Sequence, residues 1–515
     1  MSITTTAVTP AATAAGVPWT ATFIDRVRSR EMLQAIALFT SHWRGIAIDR
    51  PPAEINTPEF LDALARLLDR HKDHLAGVRT LLGYYHQSHA AKAIPLVDWT
   101  RIRLAEAVVA FHEHDLPRAI DGLTRAQRLA DEAGDGELCV ITRYYLARAL
   151  YRTGDFDQAL EVINQAETWA ATTPPIANGL IKLVSAWLLF NTCMTDAEHA
   201  LKAAKAALWG RDYLEDANIM FLEGRFARQE GAFGVAIERA RGAIDLLDKH
   251  GASEHANAAR GYVHMAYAQM LAAQAGNELA DAEGRDALHT QILDTLSDAE
   301  SICRRHGYPR VLDRVHYFRA CWYLTIGNEA AAGVQAGKAY EVASSVHDFV
   351  VMAHARIIQC QCARNRHDPV AARRFAQEAH TIAEQTGNRR VKIRALIWKA
   401  FVASDPPAYN NLIGEQLMNE ATRSLRDSDR DYLRWEFERL ATQIDEGKRR
   451  VRNEELQLPA TLDEALRLGG IEAILDDVTR KVFKAAVQRA GSTSRAAELL
   501  DTTTGRMRRY SDEHP

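Results

Sequence analysis

A pair of alanines that lie seven residues apart recurs along this chain and constrains its fold more than any other feature. The pairs are Ala119 and Ala126, Ala159 and Ala166, Ala200 and Ala207, Ala236 and Ala243, Ala332 and Ala339, and Ala372 and Ala379. Their first members follow one another at intervals of 40, 41, 36, 96 and 40 residues. Because about seven residues make two helical turns, both alanines of a pair lie on one helix face, where a second helix can approach closely. The sequence therefore predicts a stack of similar helix pairs.

The clearest unit is "YYLARALYRTGDFDQALEVINQAETWA", from Tyr144 to Ala170. It resembles a tetratricopeptide repeat (TPR), in which a first helix, a turn with a glycine and an aromatic residue, and a second helix follow one another. The matching positions are Leu146, Ala147, Gly154, Phe156, Ala159 and Ala166. A period near forty is longer than the minimal repeat of about 34 residues and is similar to that of bacterial regulators that sense peptides or sugars. The resemblance implies an all-α fold, with a right-handed TPR-like α-solenoid over residues 98–445.

A generic alanine-rich helical bundle is the alternative interpretation. The turn pattern recurs at Gly231 with Phe233 and again at Gly327, which favours the repeat. The interval of 96 residues indicates two units, one of which carries the polar insert Ala272–Gln291.

The chain before the solenoid is predicted to contain a short lead and a helical cap. Residues 1–19 lack the charged start and apolar core of a signal peptide, so we expect a disordered lead. Residues 20–97 are predicted to form an N-terminal helical cap. Its best-marked helix has Thr57 as a cap and Pro58 in the first turn, followed by apolar residues at helical spacing: Phe60, Leu61, Leu64, Leu67 and Leu68.

Composition places the chain among ordinary intracellular proteins. Six scattered cysteines in 515 residues do not make a disulfide framework. No run of about 18 apolar residues is present, so no membrane span is expected. We therefore expect a cytoplasmic protein with no membrane contact.

The sequence contains none of the motifs that would indicate catalysis. It has no glycine-rich phosphate loop, no GxSxG and no HExxH. His86 and His89 could share a helix face, but no third ligand follows at a suitable spacing. The expectation is a protein that is not an enzyme, with no cofactor, no metal site and no catalytic residue.

A solenoid offers instead a concave groove lined by its first helices. Such grooves bind an extended peptide, a protein partner or a small ligand. The repeat register places these candidate groove residues on first helices: Arg143, Tyr144, Arg225, Arg228, His316 and Arg319.

The end of the chain follows a different pattern. Residues 446–465 lack apolar periodicity and are predicted to be a linker, and residues 466–515 form a separate small domain. Within it, "GSTSRAAELLDTTTGRMRRY" resembles the Fis-type helix-turn-helix, a DNA-binding module. In this family Gly491 would end the preceding helix and Thr503 would cap the recognition helix. Asp501, Gly505 and Ser511 depart from the family pattern.

The resemblance implies DNA contacts from one short region. The implied residues are Ser494, Thr503, Thr504, Arg506, Arg508 and Arg509. Residues 479–515 contain eight Lys or Arg and four Asp or Glu, whereas the whole chain has a net charge of −4. The helix "IEAILDDVTRKVFKAAVQRA" is the candidate dimer element, so a homodimer is expected.

These features predict a bacterial transcription regulator whose solenoid senses a peptide, protein or small ligand and whose last domain binds DNA. Because the chain lacks a nucleotide-binding motif, it is not expected to be a self-sufficient sigma-54 activator. The alternative is a TPR interaction scaffold whose C-terminal domain only dimerises or docks a partner. Peptide sensors with TPR arrays generally carry their helix-turn-helix at the N-terminus, which argues against close kinship with them.

Overall fold

The computed structural model describes residues 18–44, 46–48, 50–70, 74–90, 92–169, 173–190, 193–275, 282–386, 388–404, 411–425, 433, 436–445 and 470–505. Over these residues the secondary structure is helical and contains no strand. The predicted all-α class is confirmed.

Four helices precede the repeats. They are α1 (Trp19–Arg28), α2 (Met32–Trp43), α3 (Pro58–Leu67) and α4 (Leu75–His89), with a 3-10 turn at Ala53–Ile55. Thr57 caps α3, because its hydroxyl accepts a hydrogen bond from the Phe60 amide at 3.3 Å. The ring of Phe23 lies 5.6 Å from Phe39 and 5.3 Å from Phe60, which joins α1, α2 and α3 into one core. Helix α1 begins at Trp19, the last residue of the predicted lead.

The repeats follow as seven helix pairs among the described residues. The first helices are α5 (Leu96–His112), α7 (Gly136–Thr153), α9 (Pro175–Leu189), α11 (Tyr213–Gln229), α13 (Ala256–Ala275), α15 (Pro309–Thr325) and α17 (Phe349–Asn365). The second helices are α6 (Leu116–Ala133), α8 (Phe156–Glu167), α10 (Met194–Leu208), α12 (Phe233–Lys249), α14 (Ala282–His306), α16 (Glu329–Ser345) and α18 (Pro369–Glu384). Each first helix packs on its own second helix and on the first helix of the next pair. This is a TPR-like α-solenoid, as predicted.

The recurring alanines lie on the second helices, and all but the half-buried Ala207 are buried against the first helices. Ala119, Ala126, Ala159, Ala339 and Ala379 are fully inaccessible to solvent. The interval of 96 residues between Ala236 and Ala332 is occupied by the pair α13 and α14 together with α15.

The turn after α7 is a point of close contact within the solenoid. Gly154 has a φ of +85°, a conformation that L side chains rarely adopt. A Cβ at this position would lie 3.3 Å from the Val350 side chain at the start of α17. The glycine is therefore required by both backbone conformation and packing.

The chain divides by its contacts into two compact units: Met1–Val402 with Leu412–Arg434, and Ala403–Asn411 with Trp435–Pro515. Helices α19 (Arg389–Ala403) and α20 (Asn411–Ser424) follow the pairs. In the second unit, residues 436–445 are helical, and α21 (Gly470–Ala490) and α22 (Thr493–Leu499) follow. The predicted linker, 446–465, lies outside the described residues.

Close helix packing gives a first prediction, at Gly179 in α9. A Cβ there would lie 2.6 Å from Ala207 Cβ on α10, so Gly179→Ala should lower the free energy of unfolding by about 1–3 kcal/mol. The matched control is Gly333→Ala in α16, where a Cβ would meet nothing within 4 Å. That change should raise stability by roughly 0.5–1 kcal/mol, since alanine restricts the unfolded chain. Urea unfolding of both variants measures the difference, and equal effects at the two sites would contradict the packing argument.

Candidate functional site

The first unit contains a cavity of about 130 Å³ between the first helices of its repeats. Its wall comes from the chain that follows α3, from the end of α5, from α7, and from the beginnings of α11, α13 and α15. The polar and charged residues that line it are Asp69, Arg70, His112, His114, Arg148, Arg152, Glu215, Asn218, His255, Asn257, Arg260, Tyr308 and Arg310. Five of these are arginines, whereas two are carboxylates.

The Asp69 carboxylate is fully engaged by protein groups. Arg148 donates to both oxygens at 3.0 Å, and the Tyr145 hydroxyl donates to Oδ2, also at 3.0 Å. Burial opposes ionisation, but Arg148 and His112 hold the pKa of Asp69 well below its usual value. Asp69 therefore neutralises Arg148 and has little capacity for another cation.

Glu215 is engaged in the same way. Its Oε1 accepts from the Tyr144 hydroxyl at 3.2 Å and lies 3.5 Å from Arg70, and its Oε2 accepts from Asn218 at 3.0 Å. Arg70 also contacts Asp212, which is 1% exposed. Both carboxylates of the cavity are thus committed to fixed partners.

Arg152 and Arg260 differ from the other cavity arginines. Within the described part of the chain, neither guanidinium has a carboxylate within ion-pair distance. Arg152 lies over the Phe111 ring at 3.7 Å, and Arg260 donates to the Asn257 amide oxygen at 3.2 Å. Burial, together with the cations Arg314 and Arg148, lowers the pKa of Arg260 to about 10. Burial, Arg148 and Arg260 also hold the pKa of Arg152 below its ordinary value.

Arg310 adds a third cation beside them. Its Nη1 donates to the Arg152 carbonyl oxygen at 2.6 Å, and its Nη2 donates to the Val346 carbonyl. The nearest carboxylate, Asp348, is 3.6 Å from Nη1. Arg310 is 9% exposed, and its Nε has no hydrogen-bond partner. Arg310 thus has a carboxylate partner, and the excess of positive charge in the cavity rests on Arg152 and Arg260.

His255 is held as the neutral imidazole. Its Nδ1 accepts from the Asn257 amide at 3.0 Å, so its Nε2 carries the proton and donates to the Asp69 carbonyl at 2.8 Å. Protonation of Nδ1 would place its N–H against the N–H of the Asn257 amide. Burial, the dominant cause, lowers the pKa of His255 to about 4.

This geometry predicts a loss of stability in acid. Between the unfolded pKa of 6.5 and the folded pKa of about 4, the unfolded chain binds the extra proton, so stability falls as the pH is lowered through this range. We expect His255 to account for up to about 3 kcal/mol of that loss. His255→Gln can still donate to the Asp69 carbonyl but does not titrate. The unfolding free energy of this variant, measured from pH 7 to pH 4, should fall less than that of the unmodified protein, and parallel curves would contradict the assignment.

The six groove residues predicted from the sequence do not line this cavity. Arg143 and Tyr144 are buried, Arg143 paired with Asp131 at 2.8 Å. His316 is buried and bonded to Gln335 at 2.9 Å, and Arg319 pairs with Glu300. Arg225 and Arg228 rest on aromatic rings, with Arg225 4.0 Å from Phe190 and Arg228 4.5 Å from Tyr267.

The six residues lie on α7, α11 and α15, which also line the cavity, but at other positions along these helices, and their role in a groove stays a prediction. On α7 the cavity is lined by Arg148 and Arg152, about one and two turns beyond Tyr144. On α11 and α15 it is lined by residues nearer the helix beginnings. Recurring arginines four apart on first helices were the available sequence signal.

The predicted DNA-contacting residues lie in the second unit. Helix α21 ends at Gly491, which has a φ of +70°, and Ser492 caps α22 by accepting from the Arg495 amide at 3.3 Å. Ala496 and Ala497 are buried, and Phe483, Ala486, Val487 and Leu500 pack against them. Ser494 and Thr503 are exposed and Thr504 is half-buried. Arg506, Arg508 and Arg509 lie outside the described residues.

Other kinds of site were sought over the described residues. They contain no group of three or more histidine, cysteine or acidic side chains that could hold a metal ion. They also contain no helix with the length and apolar character needed to cross a membrane.

No protein-family model matches the chain, and no curated protein matches it. Among solved structures, the apo quorum sensor NprR from B. thuringiensis is similar at 11% identity and a TM-score of 0.47, covering 71% of this chain and 97% of that one. A Rap protein complexed with competence and sporulation factor is similar at 14% identity and a TM-score of 0.42, covering 73% and 98%. Human IFIT1, a dimer with PPP-AAAA, is similar at 13% identity and a TM-score of 0.45, covering 78% and 94%.

Proposed function

We propose that this protein is a ligand-responsive transcription regulator, in which the solenoid binds an anionic ligand and the C-terminal helices contact DNA. The observation that carries the proposal is the excess of arginine over carboxylate in the cavity. Cations held together in a partly desolvated site are stabilised when an anion joins them. Of the ligands that the sequence left open, the volume of about 130 Å³ favours a small anion or one charged group of a larger ligand.

The DNA-binding half of the proposal is supported by the arrangement of α21 and α22. A glycine turn, a serine cap and a small alanine contact join the two helices, as the Fis-type resemblance implies. Dimerisation through α21 is proposed with it, because Leu475 on this helix is 59% exposed. Two half-site contacts in a dimer would then reinforce each other.

The experiment is a footprint of the full chain on genomic DNA, followed by gel shifts at ~100 mM salt. Arg506→Ala combined with Arg509→Ala should weaken the shifted complex by at least about tenfold, since each arginine that contacts phosphate or base adds to affinity. The control is Arg241→Ala, an exposed arginine on α12. If no sites are enriched, or the double variant binds like the control, the DNA-binding proposal fails.

Sedimentation separates this proposal from the scaffold alternative. Leu475→Glu places a charge on the exposed face of α21 and should convert a dimer to a monomer, with weaker DNA binding. If Leu475→Glu produces a monomer but the unmodified protein shows no DNA affinity, the scaffold alternative is favoured instead.

A further inference from the structure

The three cations Arg152, Arg260 and Arg310 form one group at the cavity. They come from α7, α13 and α15, and they are near enough for Arg260 and Arg310 to depress the ionisation of Arg152. Like charges in a half-buried site repel one another at a cost that increases as water is excluded. Arg310 has Asp348 at ion-pair distance, whereas Arg152 and Arg260 have no carboxylate there among the described residues, so these two charges are complementary to a doubly charged anion.

The rest of the cavity cannot supply that negative charge. The Asp69 carboxylate is bound by Arg148 and Tyr145. The Glu215 carboxylate is bound by Arg70, Tyr144 and Asn218. Asp348 pairs with Arg310 at 3.6 Å and with Arg314 at 3.0 Å, and Asp313 pairs with Arg314 at 3.1 Å, so these two carboxylates balance these two arginines. These carboxylates already have partners, so the charge that balances Arg152 and Arg260 is expected to come from a bound anion.

The lining is also rich in hydrogen-bond donors. Guanidinium groups donate hydrogen bonds and do not accept them. Those of Arg152, Arg260 and Arg310 hold their N–H donors in a fixed planar arrangement. The Asn218 amide already donates to Glu215 and the Asn257 amide to Asn218, so the donors left to a ligand are those of the arginines. A ligand made of acceptor oxygens alone fits this lining best.

The size of the cavity limits what can enter. Its volume is about 130 Å³. A compact tetrahedral oxyanion fits this space, with the remainder of its molecule directed toward solvent.

We infer that the cavity binds the phosphoryl group of a small phosphate ester or a diphosphate. This rests on the proposed function, whose anionic ligand it specifies. A carboxylate carries one charge on two oxygens and would leave one of the two arginine charges unbalanced. A phosphoryl group at neutral pH carries nearly two charges on three terminal oxygens, which match the unpaired charges of Arg152 and Arg260.

The test is a calorimetric titration of the full chain with two ligands that differ only in the anion, phenyl phosphate and benzoate, and with inorganic pyrophosphate. We expect saturable one-to-one binding of phenyl phosphate at least about tenfold tighter than that of benzoate. Arg152→Gln combined with Arg260→Gln should weaken it at least about tenfold, and Arg241→Gln on α12 should leave it unchanged. Thermal melts of each variant establish that it is folded.

The pH dependence is a second readout. The second ionisation of a phosphate ester has a pKa of about 6, so phenyl phosphate should bind more tightly at pH 7.5 than at pH 5.5, whereas benzoate should not.

The outcomes distinguish failure of the phosphoryl assignment from failure of the proposed anionic ligand. Benzoate binding as tightly as phenyl phosphate would overturn the phosphoryl assignment and leave the anionic ligand standing. Failure of all three ligands to bind would overturn the proposed anionic ligand itself. If the double variant binds phenyl phosphate as tightly as the unmodified protein does, the phosphate site lies elsewhere and the assignment to this cavity is overturned.

Discussion

Asp212→Asn is expected to lower the free energy of unfolding by about 3–5 kcal/mol, because it removes the charge that neutralises two buried arginines. Asp212 contacts Arg70 and lies 3.5 Å from Arg30. The exposed fractions of the three residues are 1%, 8% and 3%. Without the carboxylate charge, two guanidinium groups would remain desolvated with only Glu215 and Asp69 nearby.

Asp212→Asn tests the charge of this side chain apart from its role as a helix cap. Asp212 also caps α11 by accepting from the Leu214 amide at 3.2 Å, and the asparagine oxygen can keep that bond. The matched control is Asp121→Asn, whose pair with Arg125 is 62% and 66% exposed. An exposed pair contributes less than about 1 kcal/mol, so this control should be nearly neutral in urea unfolding. A similar small loss at Asp212 would show that the buried network is not needed to join α2 and α3 to α11.

Trp322→Ala is expected to cost about 3–5 kcal/mol, because it leaves a cavity in the core of the middle repeats. Trp322 on α15 is fully inaccessible, and its indole N–H donates to His289 Nδ1 at 3.0 Å on α14. The alanine variant loses the packing of a large ring and also leaves the histidine nitrogen without its donor.

Trp209 provides the comparison for this substitution. It is 46% exposed and contacts Lys205, whose ammonium lies 4.6 Å from the ring. Trp209→Ala should cost less than about 1 kcal/mol, the usual size of an exposed cation–π contact. Thermal unfolding followed by circular dichroism measures both, and equal losses would contradict the assignment of Trp322 to the core.

The alanine period was sufficient to predict the helix pairs, because close helix packing requires small residues at fixed places. The helix caps form a second periodic signal in the sequence. Asp115, Asp135 and Asp155 cap successive helices, each accepting from the amide three residues later, and Asn328, Asp348 and Asp368 do the same further along. Because these caps recur once every half repeat, they mark where each helix begins. The alanine pairs alone do not mark the helix starts.

The cavity could not be predicted in this way. Its residues come from five helices and four connecting segments. The contacts that shape it join distant parts of the chain: Arg70 meets Asp212 across 142 residues, and Arg310 meets the Arg152 carbonyl across 158. Several arginines on the first helices are equivalent in the sequence pattern. Which of them have carboxylate partners depends on how neighbouring repeats pack, so the sequence singled out Arg143 and Arg225 rather than Arg152 and Arg260.

The sequence by itself determined the all-α class, the helix pairs and the turn at Gly154, because helical periodicity, alanine contacts and the positive φ of glycine act over a few residues. The tertiary structure alone decided which charges remain unbalanced. An ion pair forms where two side chains meet in space, and that meeting depends on the stacking of every repeat between them. The uncompensated charge at Arg152 and Arg260, from which the proposed ligand follows, is therefore a property of the assembled solenoid.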